Sequence, residues 1–302
     1  MELFSELKKL QTEQRNPDSF DIDLADSRKI VAVINEQDKT VAHAVEQKLD
    51  VIALAVDRIV ENFKRGGRLL YFGAGTSGRL GVLDAVECPP TFGTDPELIA
   101  GFIAGGEVAM FRAQEKAEDS ETQGALELEK LHVTEHDTIV GIAASGRTPY
   151  VHGVLKEAMK RGCATIMVTT VSADQVKLKP EFMIDIPVGP EVVTGSTRMK
   201  SGTAQKMVLN MLTTASMIRM GKVFENVMVD LQLTNKKLEE RAKRIVMMLS
   251  GCSYEESMRF LEESDRHVKT ALLMALKGLS AVEAREKLEK ADGFIRLAMR
   301  GL

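Results

Sequence analysis

The sequence predicts an α/β protein built on a doubly wound, five-stranded parallel sheet, with helices before it and a small helical domain after it. Three observations lead there. Short runs rich in Val, Ile, Leu and Ala, apolar on both faces, recur at 69–72, 98–103, 138–142, 164–170 and 182–186. Helical patterns at about 77–88, 108–131 and 149–161 separate the first four of these runs. Beyond Lys222 the strand pattern ends and amphipathic helical spacing takes over. Strands buried on both faces and joined by helices form a parallel sheet covered on both sides. Such sheets bind ligands at the carboxyl ends of their strands.

Taken in order, residues 1–22 are polar and punctuated by Arg15-Asn-Pro-Asp18, and are expected to form an arm rather than a core element. Helical spacing then dominates from Ala25 to Lys64. Ile30, Val33 and Ile34 share one face, and Val41, Val45, Leu49, Ile52, Val56 and Val60 follow at intervals of three and four. Gly66-Gly67 stops the second helix. After the five strands a long helix is predicted over 196–220. Residues 229–302 are charged and amphipathic, broken at Gly251, Gly278 and Gly293. The implied division is 1–54 for the arm and first helices, 55–222 for the sheet domain and 223–302 for the helical domain.

Composition narrows the class. With 302 residues, 44% hydrophobic and 28% charged, the chain can bury a full core. A formal net charge of −4 argues against nucleic acid or an anionic membrane as the main partner. Cys88, Cys163 and Cys252 form no CxxC pair, so neither a disulfide framework nor a zinc ribbon is expected. The first residues lack a signal-peptide core, and no uncharged apolar run reaches membrane-spanning length. A cytoplasmic, soluble protein is the expectation.

The chemistry concentrates in strand-to-helix turns. Gly73-Ala-Gly-Thr-Ser-Gly78 follows the first strand and opens a helix, so backbone N–H groups and a helix N-terminus face an anion there. It matches the GxGxxG dinucleotide fingerprint. The second strand, however, ends in Ala104-Gly105-Gly106 with no acidic residue to hold a ribose. Thr76 and Ser77 within the turn suit a single phosphate, and a plain tight turn is the remaining reading. The third strand ends similarly, in Ser145-Gly-Arg-Thr-Pro149, with Pro149 in the first turn of the next helix. Ser145, Gly146, Arg147 and Thr148 supply hydroxyls, free backbone and a cation, although Thr148 also reads as an ordinary N-cap. Two such turns together point to a sugar phosphate held between them. A third small, polar loop, 193–203, opens the long helix. Ser196, Thr197, Arg198 and Lys200 there could meet an anionic or hydroxylated ligand, or the loop could simply cap its helix through Thr194 or Ser196.

His132-Val-Thr-Glu-His136 has the H-x-x-E-H zinc spacing. Its β-branched pair and the strand that follows favour a helix end and loop, so no metal site is expected. With no GxSxG elbow, acid–base work falls to carboxylates. Glu87 closes a largely apolar helix before Cys88-Pro-Pro-Thr-Phe-Gly93, where the helix dipole opposes a negative charge. Glu118 lies in an acidic stretch that would otherwise be a solvated face.

Together these loops resemble a SIS (sugar isomerase) domain. More closely, 73–93, 141–150, 191–200 and, more weakly, 292–296 resemble the N-acetylmuramic acid 6-phosphate etherase family, over a region running from about Arg15 to the C-terminus. Val86 stands where that family often has serine. The resemblance implies a lyase that removes the D-lactyl ether of N-acetylmuramic acid 6-phosphate, giving N-acetylglucosamine 6-phosphate and D-lactate in cell-wall recycling. It implies no metal and no redox cofactor. It also implies that Glu87 and Glu118 are the catalytic pair; the roles assigned to them here are Glu87 as proton donor to lactate and Glu118 as base at C2. A helix of ten residues separates Ser77 from Glu87, about 15 Å at 1.5 Å per residue, so a homodimer sharing its sites is expected. The competing reading is a phosphosugar-binding regulator without turnover, which has no reason to keep both glutamates.

Overall fold

The computed structural model describes residues 11–114, 116–231, 233 and 236–300. Helices α1 (Ser27–Glu46) and α2 (Leu49–Lys64) precede the sheet. The sheet strands are β1 (Leu69–Gly73), β2 (Ile99–Ile103), β3 (Thr138–Ile142), β4 (Ala164–Thr169) and β5 (Phe182–Asp185). Between them lie α3 (Gly75–Phe92), α4 (Glu107–Phe111), α5 (Glu121–Lys130) and α6 (Pro149–Lys160). All four strand pairings are parallel, in the order β2-β1-β3-β4-β5. Every residue of β1, β3 and β4 is buried, which explains why these strands read as unbroken apolar runs. One core layer gathers Leu70, Phe72, Ile139 and Met167 from the strands with Tyr150, Val154 and Leu155 from α6.

The chain forms two compact units. The first runs through Val86 and from Pro96 to Thr213; the second combines Glu87–Asp95 with the chain from Thr214 on. Helix α7 (Lys200–Arg219) is followed in the second unit by a two-stranded antiparallel hairpin, β6 (Val223–Phe224) and β7 (Val227–Met228). Then come α8 (Lys236–Ser250), α9 (Tyr254–Glu263), α10 (Val268–Lys277), α11 (Ala281–Lys290) and α12 (Ile295–Arg300). Capping boxes at Ser253 and Ser280 start α9 and α11, and Gly278 ends α10 in the left-handed conformation. Leu272, Leu273, Val246 and Leu288 form its core.

Five expectations change. Residues 1–10 of the expected arm lie outside the described residues, and the rest is docked: Thr12 and Asn16 are buried. Asn16 Nδ2 donates to Pro190 O (3.1 Å) and Gln37 Oε1 (2.8 Å), and Ser19 Oγ to Val192 O (2.8 Å). Helix α3 runs through Pro89 and Pro90 to Phe92, so Glu87 sits within the helix rather than against its terminal carbonyls. Ala85, Cys88 and Phe92 keep a buried stripe at helical spacing past the prolines. The single helix expected over 108–131 is α4, a 3₁₀ turn at Ala117–Asp119, and α5. Ser120 starts α5 by accepting from Gln123 N (3.1 Å). The long helix begins at Lys200, not 196. Finally, β6 and β7 fall where no strand was expected, because two-residue strands are too short to carry a period.

Candidate active site

Sheet order decides where a ligand can sit. The chain leaves β1 for β2 on one side, then returns past β1 to β3 on the other. The turns after β1 and β3 therefore diverge, opening a crevice at the carboxyl ends of two neighbouring strands. A cleft of about 430 Å³ lies against these turns.

The first wall is the β1–α3 turn. Only Ala74 separates the end of β1 from the start of α3, and Gly75 adopts φ +54°. A Cβ at Gly78 would fall 2.6 Å from Gly73 O and 2.7 Å from Ile103 Cγ1, so the third glycine of the fingerprint is there to let helix and strand touch. Thr76 and Ser77 line the cleft. Ser77 Oγ donates to Gln205 Oε1 at 3.0 Å, and the buried Gln205 Nε2 has no partner among the described residues.

The second wall is the β3–α6 turn, lined by Ser145, Arg147, Thr148 and Pro149. It is fixed from below. Ala144 O accepts from Thr170 N (3.0 Å) and Thr169 Oγ1 (3.0 Å), and the His152 ring nitrogen meets Gly146 O at 2.8 Å. Gly146 itself is a packing position: at φ +66° its Cβ would lie 2.5 Å from Val176 Cγ2. Thr148 holds the N-cap place of α6, yet its side chain makes no capping bond. Neither α3 nor α6 carries an acidic residue in its first turn, so both N-termini keep their positive dipole ends for an anion.

Glu118 and Asp119 line the same cleft. Partial desolvation, with Asp119 adding to it, raises the Glu118 carboxyl above its ordinary 4.5. Gly195 and Thr197 contribute from the third loop. That loop's helix is not capped by Thr194 or Ser196. The fully buried carboxylate of Glu191 accepts from Lys200 N (2.9 Å) and Ser201 N (3.0 Å) instead. Lys200 is buried, its Nζ donating to Gln37 Oε1 at 2.9 Å, and burial lowers its pKa while Glu191 opposes the shift.

The structure thus brings Thr76, Ser77, Glu118, Ser145, Arg147, Thr148 and Thr197 into one cleft. Gly146, Ser196, Arg198 and Lys200 are not among its lining residues, nor is Glu87, which is exposed on α3. Two lining residues escaped sequence reasoning, Thr12 and Glu13. Thr12 Oγ1 is buried without a partner among the described residues, and Gly195 N donates to Thr12 O (3.3 Å). A polar segment gives no periodic signal that it will dock, so nothing in the sequence marked them. His132 and His136 lie on the loop between α5 and β3, and no group of three or more metal-ligating side chains occurs among the described residues. No described helix is long and apolar enough to cross a membrane.

Comparison with known proteins bears on this cleft. A family profile described as the glucokinase regulatory protein N-terminal SIS domain matches residues 51–159, and the SIS domain profile matches 106–215. The chain is 54% identical to N-acetylmuramic acid 6-phosphate etherase of Salinibacter ruber, covering 99% of this chain and 96% of that protein. It is 54% identical to N-acetylmuramic acid 6-phosphate etherase 2 of Vibrio cholerae, over 98% and 97%. For the protein of the latter name in Lactiplantibacillus plantarum the figures are 50%, 97% and 99%.

Proposed function

From the premise that this chain belongs to the N-acetylmuramic acid 6-phosphate etherase family, we propose that it cleaves the D-lactyl ether of N-acetylmuramic acid 6-phosphate. The products are N-acetylglucosamine 6-phosphate and D-lactate. Full-length similarity to proteins of that name carries the reading. The cleft supports it, because two open helix N-termini suit a phosphate and a carboxylate of raised pKa stands beside them.

In the open-chain sugar the C2 proton is acidic, being alpha to the aldehyde. Ionised Glu118 removes it, the C3–O bond breaks, and Glu87 protonates the departing lactate oxygen. Water, deprotonated by Glu87, then adds at C3 of the unsaturated aldehyde, and Glu118 returns the proton to C2. The two carboxyls must differ in protonation at the outset, which a raised Glu118 pKa alone does not supply; the difference must come from where each sits relative to the substrate. Phosphate sits between Thr76–Ser77 and Ser145–Thr148, with Thr197 closing the third side.

Ten residues of continuous helix run from Ser77 to Glu87, about 15 Å. A compact sugar held at the turn is out of reach of Glu87 on the same helix, so Glu87 serves the site of a second copy in a homodimer. The setting is the cytoplasm. D-lactate release from N-acetylmuramic acid 6-phosphate tests the activity, and Glu87→Gln and Glu118→Gln should each abolish it. Unimpaired turnover in both variants would sink the mechanism. Mixed Glu87→Ala and Ser145→Ala subunits should regain activity if the site is shared; none after verified subunit exchange removes that idea.

A non-catalytic phosphosugar-binding regulator is the second reading, supported by the regulatory-protein profile over 51–159. Binding of sugar phosphate without lactate release would favour it.

A further inference from the structure

A second, smaller chamber of about 180 Å³ adjoins the cleft and shares Ala74, Gly75 and Glu118 with it as a common wall. Its other sides are Arg79, Ala104, Ala109, Ala113 and Gln114. The proposed mechanism does not use it, and the turn motifs do not account for it. A volume of about 180 Å³ is ample for a group of a few non-hydrogen atoms. Its lining combines alanine methyls with one guanidinium, the Gln114 side chain and the Glu118 carboxylate of the shared wall. Arg79 Nε donates to Met110 O (2.9 Å) and Nη2 to Ala109 O (2.6 Å), leaving three of its five N–H donors for a ligand. A fixed guanidinium over a small apolar wall suits a short carboxylate bearing a methyl group.

Resting on the etherase reading, we infer that this chamber binds the D-lactyl group and that Arg79 pairs with its carboxylate. The geometry of the reaction leads the same way. The C2 proton and the C3–O bond are on adjacent carbons, so a sugar whose C2 faces Glu118 presents its C3 substituent at the shared wall. The larger cleft keeps the sugar phosphate; the smaller one takes the leaving group. Arg79 is then a specificity residue for the lactyl ether, and it also offsets the repulsion between the lactyl carboxylate and Glu118.

The test compares two ligands that differ only in the lactyl group. For Arg79→Gln, KM for N-acetylmuramic acid 6-phosphate rises about 10- to 100-fold, the range for losing a hydrogen bond to a charged group. Affinity for N-acetylglucosamine 6-phosphate, measured by calorimetry, stays at the wild-type value. Ala113→Leu, at an exposed loop position, fills the chamber while keeping the Arg79 guanidinium and should produce the same split. Equal weakening of both ligands, or no change in either, overturns the assignment. If the wild type releases no lactate yet binds N-acetylglucosamine 6-phosphate, the etherase reading itself fails and this inference with it.

Discussion

Glu191 offers the sharpest test of how the third loop is held. Its carboxylate is fully buried and accepts two backbone N–H groups, Lys200 N at 2.9 Å and Ser201 N at 3.0 Å, at the start of α7. Glu191→Gln keeps the shape but retains one acceptor oxygen and turns an NH₂ group toward the second donor. One charge-assisted bond is lost, worth about 1.5–3 kcal/mol, and a buried donor is orphaned at about 1–3 kcal/mol, partly the same energy counted twice. The charge at the helix N-terminus contributes about 0.3–2 kcal/mol more. A loss of about 3 kcal/mol is the working value. With an urea slope of about 2 kcal/mol/M, the midpoint falls by about 1.5 M. The chain has no tryptophan and three tyrosines, of which Tyr71 and Tyr150 are wholly buried in the sheet unit. Near-ultraviolet dichroism therefore follows that unit. A midpoint within about 0.3 M of wild type would refute the capping role.

Other expectations are more direct. Because the Glu118 pKa is raised above 4.5, first by desolvation and then by Asp119, its ionised fraction is lost at a higher pH than for an ordinary glutamate. The acid limb of kcat/KM for lactate release should therefore lie above 4.5, and Asp119→Asn should move it to lower pH; an unmoved limb removes Glu118 as the titrating base. Thr148 makes no capping bond, so Thr148→Val should weaken N-acetylglucosamine 6-phosphate binding about 10-fold with little change in melting temperature. Ser280→Ala, which breaks a capping box, should instead destabilise the second unit by about 1 kcal/mol. Gly78→Ala forces a Cβ to 2.6 Å from Gly73 O, and should lower stability by about 1–3 kcal/mol by thermal melt.

The parts legible in the sequence share one property: their determinants are local. Strands β1, β3 and β4 are buried on both faces, and each prints as an apolar run. The β1–α3 turn is written in three glycines within six residues, each answering a steric demand of that turn. The illegible parts depend on partners far along the chain. Asn16 meets Pro190, 174 residues away, so a stretch that reads as solvated docks beside the cleft. Lys200 read as a ligand cation because charge alone is visible in sequence; its ammonium is turned to Gln37, 163 residues away. The break before α5 has a local signal of its own: Ser120-Glu-Thr-Gln123 has the spacing of a capping box.

Glu118 shows how packing away from a site positions it. A Cβ on Gly124 of α5 would lie 2.1 Å from Tyr150 O, and one on Gly153 of α6 would lie 1.8 Å from Glu121 O. The two helices can approach this closely only because neither residue has a side chain. Tyr150 OH adds a 2.6 Å bond to Glu127 Oε2 across the same contact. Helix α6 starts at the β3 turn, and α5 starts three residues after Glu118, so clamping one helix to the other brings Glu118 to the turn that carries Ser145 and Thr148. Helix-to-helix contact thereby positions the short 3₁₀ turn that carries this carboxylate. Partial desolvation still raises its pKa, although Glu118 is exposed and its charge remains available to the cleft.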